Sequence, residues 1–294
     1  MKMPALKSAA KSAARLAASA AAAWLLSGCG AMRLAYDHAD SFLRWKATSY
    51  VDVRGAESHE LDERIDAFLD WHRAKALPQY AALAAEASRR VGKGLSPEDL
   101  VWGYDSFMAQ ARETLRAGGE RIAPMLDRLS AEQIAHLERR FADDNRKFAR
   151  EFLRGNESDR RKRRTKRAVE RVEDWVGKLA PAQLERVRQY SERAPLLDDL
   201  RDRDHKRLQA QLLAMVRARQ AQKRLPDALA NFERGREPAY AAASEAHRKE
   251  YNALLLDLDR TLSSEQRAKA AGRLRGFAED FASLAADKSR RRPQ

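Results

Sequence analysis

An all-α fold, a bundle of about ten helices, is predicted by three features of the 294-residue sequence. Composition is the first. Charged residues make up 34% and aromatics 7%, with only 13 Gly and 9 Pro, and the richness in Ala, Leu, Arg and Glu is what long helices use. Strands would call for more Val, Ile and Thr. The second feature is period: apolar residues recur at helical spacing nearly throughout, and no segment alternates with period two for long. The third is a recurring helix-start signal, "LSPEDL" from Leu95, "LSAEQI" from Leu129, "LAPAQL" from Leu179 and "LSSEQR" from Leu262.

Taken along the chain, Leu61, Ile65, Phe68 and His72 share one helical face. Ile134, Leu137, Phe141, Phe148 and Phe152 share another, and Tyr251, Leu254 and Leu258 a third, with His247 behind them. In "LSAEQI", Ser130 caps a helix while Gln133 reaches back to the cap amide, and Leu129 with Ile134 forms a hydrophobic staple. The pairs Leu95 with Leu100 and Leu179 with Leu184 repeat the staple. Ala180 is a poor cap, although Pro181 suits the first helical position, and Arg267 spoils the last staple. The starts lie 34, 50 and 83 residues apart, which excludes a fixed-period solenoid. Breaks are predicted at Lys93, Gly118-Gly119, Gly155, Ala194-Pro195, Leu225-Pro226 and from Gly235 to Pro238. The organisation expected is an address segment 1–28, a tether 29–36, a helical domain 37–287 and a basic disordered tail 288–294.

Little in the sequence points to catalysis. There is no nucleophile elbow, phosphate-binding glycine loop or zincin helix, and the six histidines are scattered. In "DDLRDRDH", Asp198, Asp202 and His205 share a helical face, but Arg201, Arg203, Lys206 and Arg207 surround them, so ion pairs are expected there rather than a metal. Trp71 and Trp175 are read as core anchors. No catalytic residue, metal or cofactor is expected.

The segment ahead of Cys29 reads as an address. Lys2, Lys7, Lys11 and Arg15 form a basic start with no acid, and an apolar run from Leu16 to Leu26 follows, too short to span a bilayer. Leu26-Ser27-Gly28-Cys29 resembles a bacterial lipobox. That resemblance implies cleavage between Gly28 and Cys29, a diacylglycerol thioether on Cys29 and acylation of the new amino group. The sole cysteine is then unavailable for disulfide or redox work. Gly30, in place of an Asp, is compatible with export to the outer membrane on the periplasmic side, with the inner membrane as the alternative.

The formal charge is +14, a balance that in the cytosol would suggest nucleic acid. From Arg146 to Arg167 there are eleven basic residues against three acids. The run Arg160, Arg161, Lys162, Arg163, Arg164, Lys166 and Arg167 has no apolar residue, so it is expected to project into solvent or meet an anion. For an exported protein the anion would be a lipid headgroup or an envelope polymer, and no nucleic acid is expected. Such a run would add about 1 kcal/mol per basic residue near an anionic membrane.

From Leu34 onward, "LAYDHADSFLRW", "WHRAKALPQY", "LSAEQIAHLERRFADDNRKFAREF" and "DWVGKLAPAQLERV" resemble an uncharacterised family of helical Gram-negative lipoproteins, a domain of unknown function. The resemblance implies lipidation, envelope location and a helical fold. A weaker similarity links Leu129-Ser130-Glu132-Gln133 and Leu262-Ser263-Gln266 to the L-T-x-x-Q motif of periplasmic chaperones. The reading that follows is a non-enzymatic lipoprotein that acts by binding protein clients, as a scaffold or chaperone-like envelope factor. A structural bridge between membrane and another envelope polymer is the alternative, and an unrecognised hydrolase the third.

Overall fold

The computed structural model describes residues 31–287. The address segment, the cleavage point at Gly28 and Cys29, and the tail 288–294 lie outside the described residues. Every regular element described is helical: α1 (Ala31–Asp37), α2 (Ala39–Tyr50), α3 (Ala56–Trp71), a π-helical turn (His72–Ala76), α4 (Leu77–Lys93), α5 (Pro97–Leu126), α6 (Ala131–Phe148), a second π-helical turn (Ala149–Leu153), α7 (Glu157–Val176), α8 (Pro181–Arg193), α9 (Asp198–Arg217), α10 (Ala221–Ala230), α11 (Pro238–Asp259) and α12 (Ser264–Ala286). Residues 31–36, expected as tether, lie in the first described helix.

All four leucine-led signals start helices. Ser96, Ser130 and Ser263 each accept from the backbone N–H three residues on, while Asp99, Gln133 and Gln266 accept from the cap amides in return. Asn156 and Asp159 make a further capping box at α7. Alanine has no acceptor, so at Ala180 only the reciprocal half exists, its N–H donating to Gln183 Oε1 at 3.0 Å. Gln183, almost fully buried, also donates to Gln266 Oε1 at 3.0 Å, which ties the starts of α8 and α12 together. Arg267, the residue that breaks the last staple, instead donates to the buried Asp259 at 2.6 Å and to Val91 O at 2.9 Å. Asp259 in turn accepts from Leu95 N–H at 3.0 Å, pinning the turn between α4 and α5, where Gly94 takes φ +94°.

Two predicted breaks are not breaks. Gly118-Gly119 lies inside α5 and Leu225-Pro226 inside α10, because they are the two sides of one helix contact. A Cβ on Gly119 would meet Leu229 Cδ1 at 2.9 Å and Pro226 Cα at 3.1 Å. The glycine is there for close approach of backbones rather than for a turn. The π-helical turn before Pro78 has a related cause. Proline cannot donate and its ring crowds the preceding turn, and the chain widens there, Leu77 N–H bonding to His72 O five residues back.

Packing follows from these starts and stops. α4 lies along α12 and α5 along α10, while α8 packs against both α7 and α11. One core gathers Ala123, Leu129, Met215, Val216 and Leu225; a second gathers Leu179, Val187, Tyr190, Leu254 and Leu258. A third holds Leu61, Ile65, Leu69 and Met125, covered by Tyr36, Ala39, Leu43 and Ala47 from α1 and α2. α1 is fastened by polar contacts as well. Arg33 donates to the fully buried Asp280 at 3.0 Å, and the Tyr36 hydroxyl lies 3.0 Å from His72 Nδ1. Burial, aided by the charge of Arg73, pushes His72 down to about 4. Burial also raises Tyr36 to about 12 and pushes Asp280 above the usual carboxylate range. No helix among the described residues is long and apolar enough to cross a membrane.

Candidate binding cleft

An open cleft of about 770 Å³ lies where the end of α4, the first half of α5, the loop before α11 and α11 itself come together. One wall is α5. Its capping box fixes Asp99, whose Oδ1 accepts from Arg90 at 2.6 Å, and Arg90 lies over the Trp102 ring at 4.1 Å. Two residues further on, Arg248 covers Tyr104 at 4.5 Å, joining α11 to α5 across the cleft. These guanidinium–ring stacks order flexible arginines at modest cost in hydration. Val101 and Phe107, three residues either side of Tyr104, are 56% and 57% exposed, so an apolar edge extends beyond the cleft.

The floor is formed by Tyr190 and His247, with Tyr190 Oη 3.0 Å from His247 Nε2 and the ring of Tyr251 edge-on to Tyr190. Burial lowers the His247 pKa and raises that of Tyr190, and the charge of Arg164 beneath adds to the effect on the imidazole. The pair is therefore a neutral imidazole and a neutral phenol at pH 7, able to exchange one hydrogen bond. Among the described residues no carboxylate or nucleophile is hydrogen-bonded to either ring. The cleft presents aromatic faces, stacked cations and a polar floor.

None of the basic-run residues singled out in the sequence lines this cleft. Arg160 pairs with Asp199 at 2.8 Å and Asp198 at 3.5 Å. Arg161 donates to Glu192 O at 2.6 Å, Ser191 O at 3.0 Å and Ala194 O at 3.1 Å. Arg164 donates to Ala194 O at 2.7 Å, Pro195 O at 2.9 Å and also Ser191 O. Arg163 donates to Arg154 O. Arg161 and Arg164 thus cover the carbonyl end of helix α8, where C=O groups without helical partners and the helix dipole favour a cation. Of the two expected fates, solvent or an anion, Arg160 meets carboxylates of the same molecule, while Arg161, Arg163 and Arg164 meet backbone carbonyls instead. Lys162, Lys166 and Arg167 do stay exposed, Arg167 against Phe152 at 5.1 Å. The groove beside them also contains Glu157 and Glu192.

The aspartates of "DDLRDRDH" meet cations: Asp202 accepts from Lys206 at 2.7 Å and Asp198 lies 3.9 Å from Arg201. His205 instead lies edge-on to Phe148. Among the described residues no group of three or more His, Cys, Asp or Glu is placed to hold a metal. Trp71 packs on Phe68 under Arg121, and Trp175 on Phe277 under Arg273. The cleft residues of α5 were missed in the sequence; their one signal was the apolar character of Val101, Trp102, Tyr104 and Phe107 on more than one face of a single helix.

The family of unknown function DUF6279 matches residues 49–240, well over half of the chain. The chain belongs to this family. The DUF6279 match covers the α4, α5, α7 and α8 walls of the cleft and ends within α11, just ahead of the cleft residues Ala241 to Leu255. No curated protein and no solved structure matches the chain.

Proposed function

We propose that this DUF6279 member is a lipid-anchored envelope protein of the outer membrane, facing the periplasm, that works by binding rather than by catalysis. The cleft is its ligand site and an extended polypeptide segment its ligand. The observation that carries this reading is the convergence of Trp102, Tyr104, Arg248 and Tyr251 on one open cleft continuous with exposed Val101 and Phe107. Exposed apolar surface of this kind marks an interaction site, and rigid aromatic and arginine side chains are what dominate binding energy. Arg171, Arg248 and Glu245 line the cleft without an ion pair to another described residue, which favours a ligand with charged as well as apolar side chains. The lipobox at Leu26 to Cys29 supports the anchor and the address.

Photo-crosslinking in cells tests the site. A photoreactive residue at Tyr104 should trap a polypeptide partner, and Arg248→Glu should abolish the adduct. Equal adducts at Tyr104 and at a distant exposed position such as Glu185, or none at either, would contradict the reading.

A further inference from the structure

The first two helices are apolar on two faces. Tyr36, Ala39, Leu43 and Ala47 point inward against the third core. Leu34, Phe42 and Trp45 point outward, 58%, 58% and 63% exposed, with the Phe42 and Trp45 rings 5.9 Å apart. Phe42 and Trp45, three residues apart, share one face of α2, and Leu34 is exposed on α1, which ends at Asp37 one residue before α2 begins. These side chains are held outward because the opposite face is fixed, by the third core and by the Arg33–Asp280 and Tyr36–His72 contacts.

We infer that Leu34, Phe42 and Trp45 form a bilayer-docking face, which lays α1 and α2 along the headgroup boundary of the anchoring membrane. The inference rests on the lipid-anchor reading above, and three observations choose the bilayer as occupant. Chain length is one: Cys29 precedes Ala31 by two residues, which span at most about 7 Å, so a lipid on Cys29 brings these helices to the surface. Charge is another. Lys46 is exposed without an ion pair to another described residue, and Arg33 and Arg44, although bound to Asp280 and Asp62, are exposed beside it, whereas Asp37 and Asp40, the acids of α1 and α2, are only partly exposed. Residue type is the third, since an amphipathic helix with Trp, Phe and Leu on one side and basic residues beside them is what settles in the interface.

The test reconstitutes the full chain, processed in cells and carrying Trp24→Phe, into phosphatidylethanolamine–phosphatidylglycerol vesicles with brominated or plain acyl chains. Brominated chains should quench part of the tryptophan emission, and Trp45→Phe should remove that quenching while far-ultraviolet circular dichroism stays unchanged. Quenching that persists in Trp45→Phe, or is absent from both proteins, overturns the docking face. So does shielding of Trp45 that appears in solution with self-association. The anchor is read separately, from acyl label lost in Cys29→Ala. Label without quenching overturns the face and spares the anchor; quenching without label does the reverse.

Discussion

The arginine run of α7 and the outer face of α1 and α2 differ in where their side chains go. The run is the most charged stretch of the chain, and its arginines Arg160, Arg161, Arg163 and Arg164 turn onto aspartates and backbone carbonyls of the same molecule. The outer face carries Leu34, Phe42 and Trp45, all more than half exposed. A guanidinium donates up to five hydrogen bonds, so a basic run beside a helix C-terminus meets its need for acceptors inside the fold. An indole or phenyl ring can meet its need only by being covered. The contact surface is therefore better located by uncovered rings than by unbalanced charge.

The largest effect should come from removing an arginine that caps α8. Arg164→Ala leaves Pro195 O without a charged donor, Ser191 O and Ala194 O keeping only Arg161, and should cost about 3 kcal/mol in urea unfolding. A loss below about 1 kcal/mol would return the run to the surface-binding reading. Next comes the latch that holds α1. His72, pushed down to about 4 from its ordinary 6.5, is neutral when folded. Its folded pKa is below the unfolded one, so its contribution is complete above pH 6.5 and is lost as pH falls toward 4, by about 3 kcal/mol in total. His72→Gln should flatten the fall in stability between pH 6.5 and 4; an unchanged slope would show that this ring is not the titrating group.

The frame beneath both regions can be tested at Gly119. Gly119→Ala should destabilise by about 2 kcal/mol, because Pro226 Cα is backbone and cannot yield. Gly103→Ala, whose Cβ meets nothing within 4 Å, should be neutral or stabilising by up to about 1 kcal/mol. Smallest of all, Lys162→Ala and Lys166→Ala should each change stability by less than about 0.5 kcal/mol. A larger loss would mean that the exposed lysines are as engaged as the arginines.

Helix starts were legible residue by residue, since a cap and its glutamine are three positions apart and need no tertiary information. Glycine and proline were harder. At Gly94 the positive φ is a local demand and the break was visible. At Gly119 the demand comes from α10, a hundred residues away, and nothing local distinguishes it from a turn. The same limit hid the fate of the arginine run, because the carbonyls of Ser191, Ala194 and Pro195 come to it only through the packing of α7 on α8. The cleft was least legible, its parts being drawn from five helices and two loops.

The contrast between the two regions is tested most directly by co-sedimentation with anionic phosphatidylglycerol vesicles, comparing Leu34→Ser/Phe42→Ser/Trp45→Ser with Lys162→Glu/Lys166→Glu/Arg167→Glu in the full chain bearing Cys29→Ser and Leu25→Asp to silence the address. The account predicts that the serine variant stays in the supernatant while the glutamate variant still pellets with vesicles. Retained binding by the serine variant with loss in the glutamate variant would contradict it.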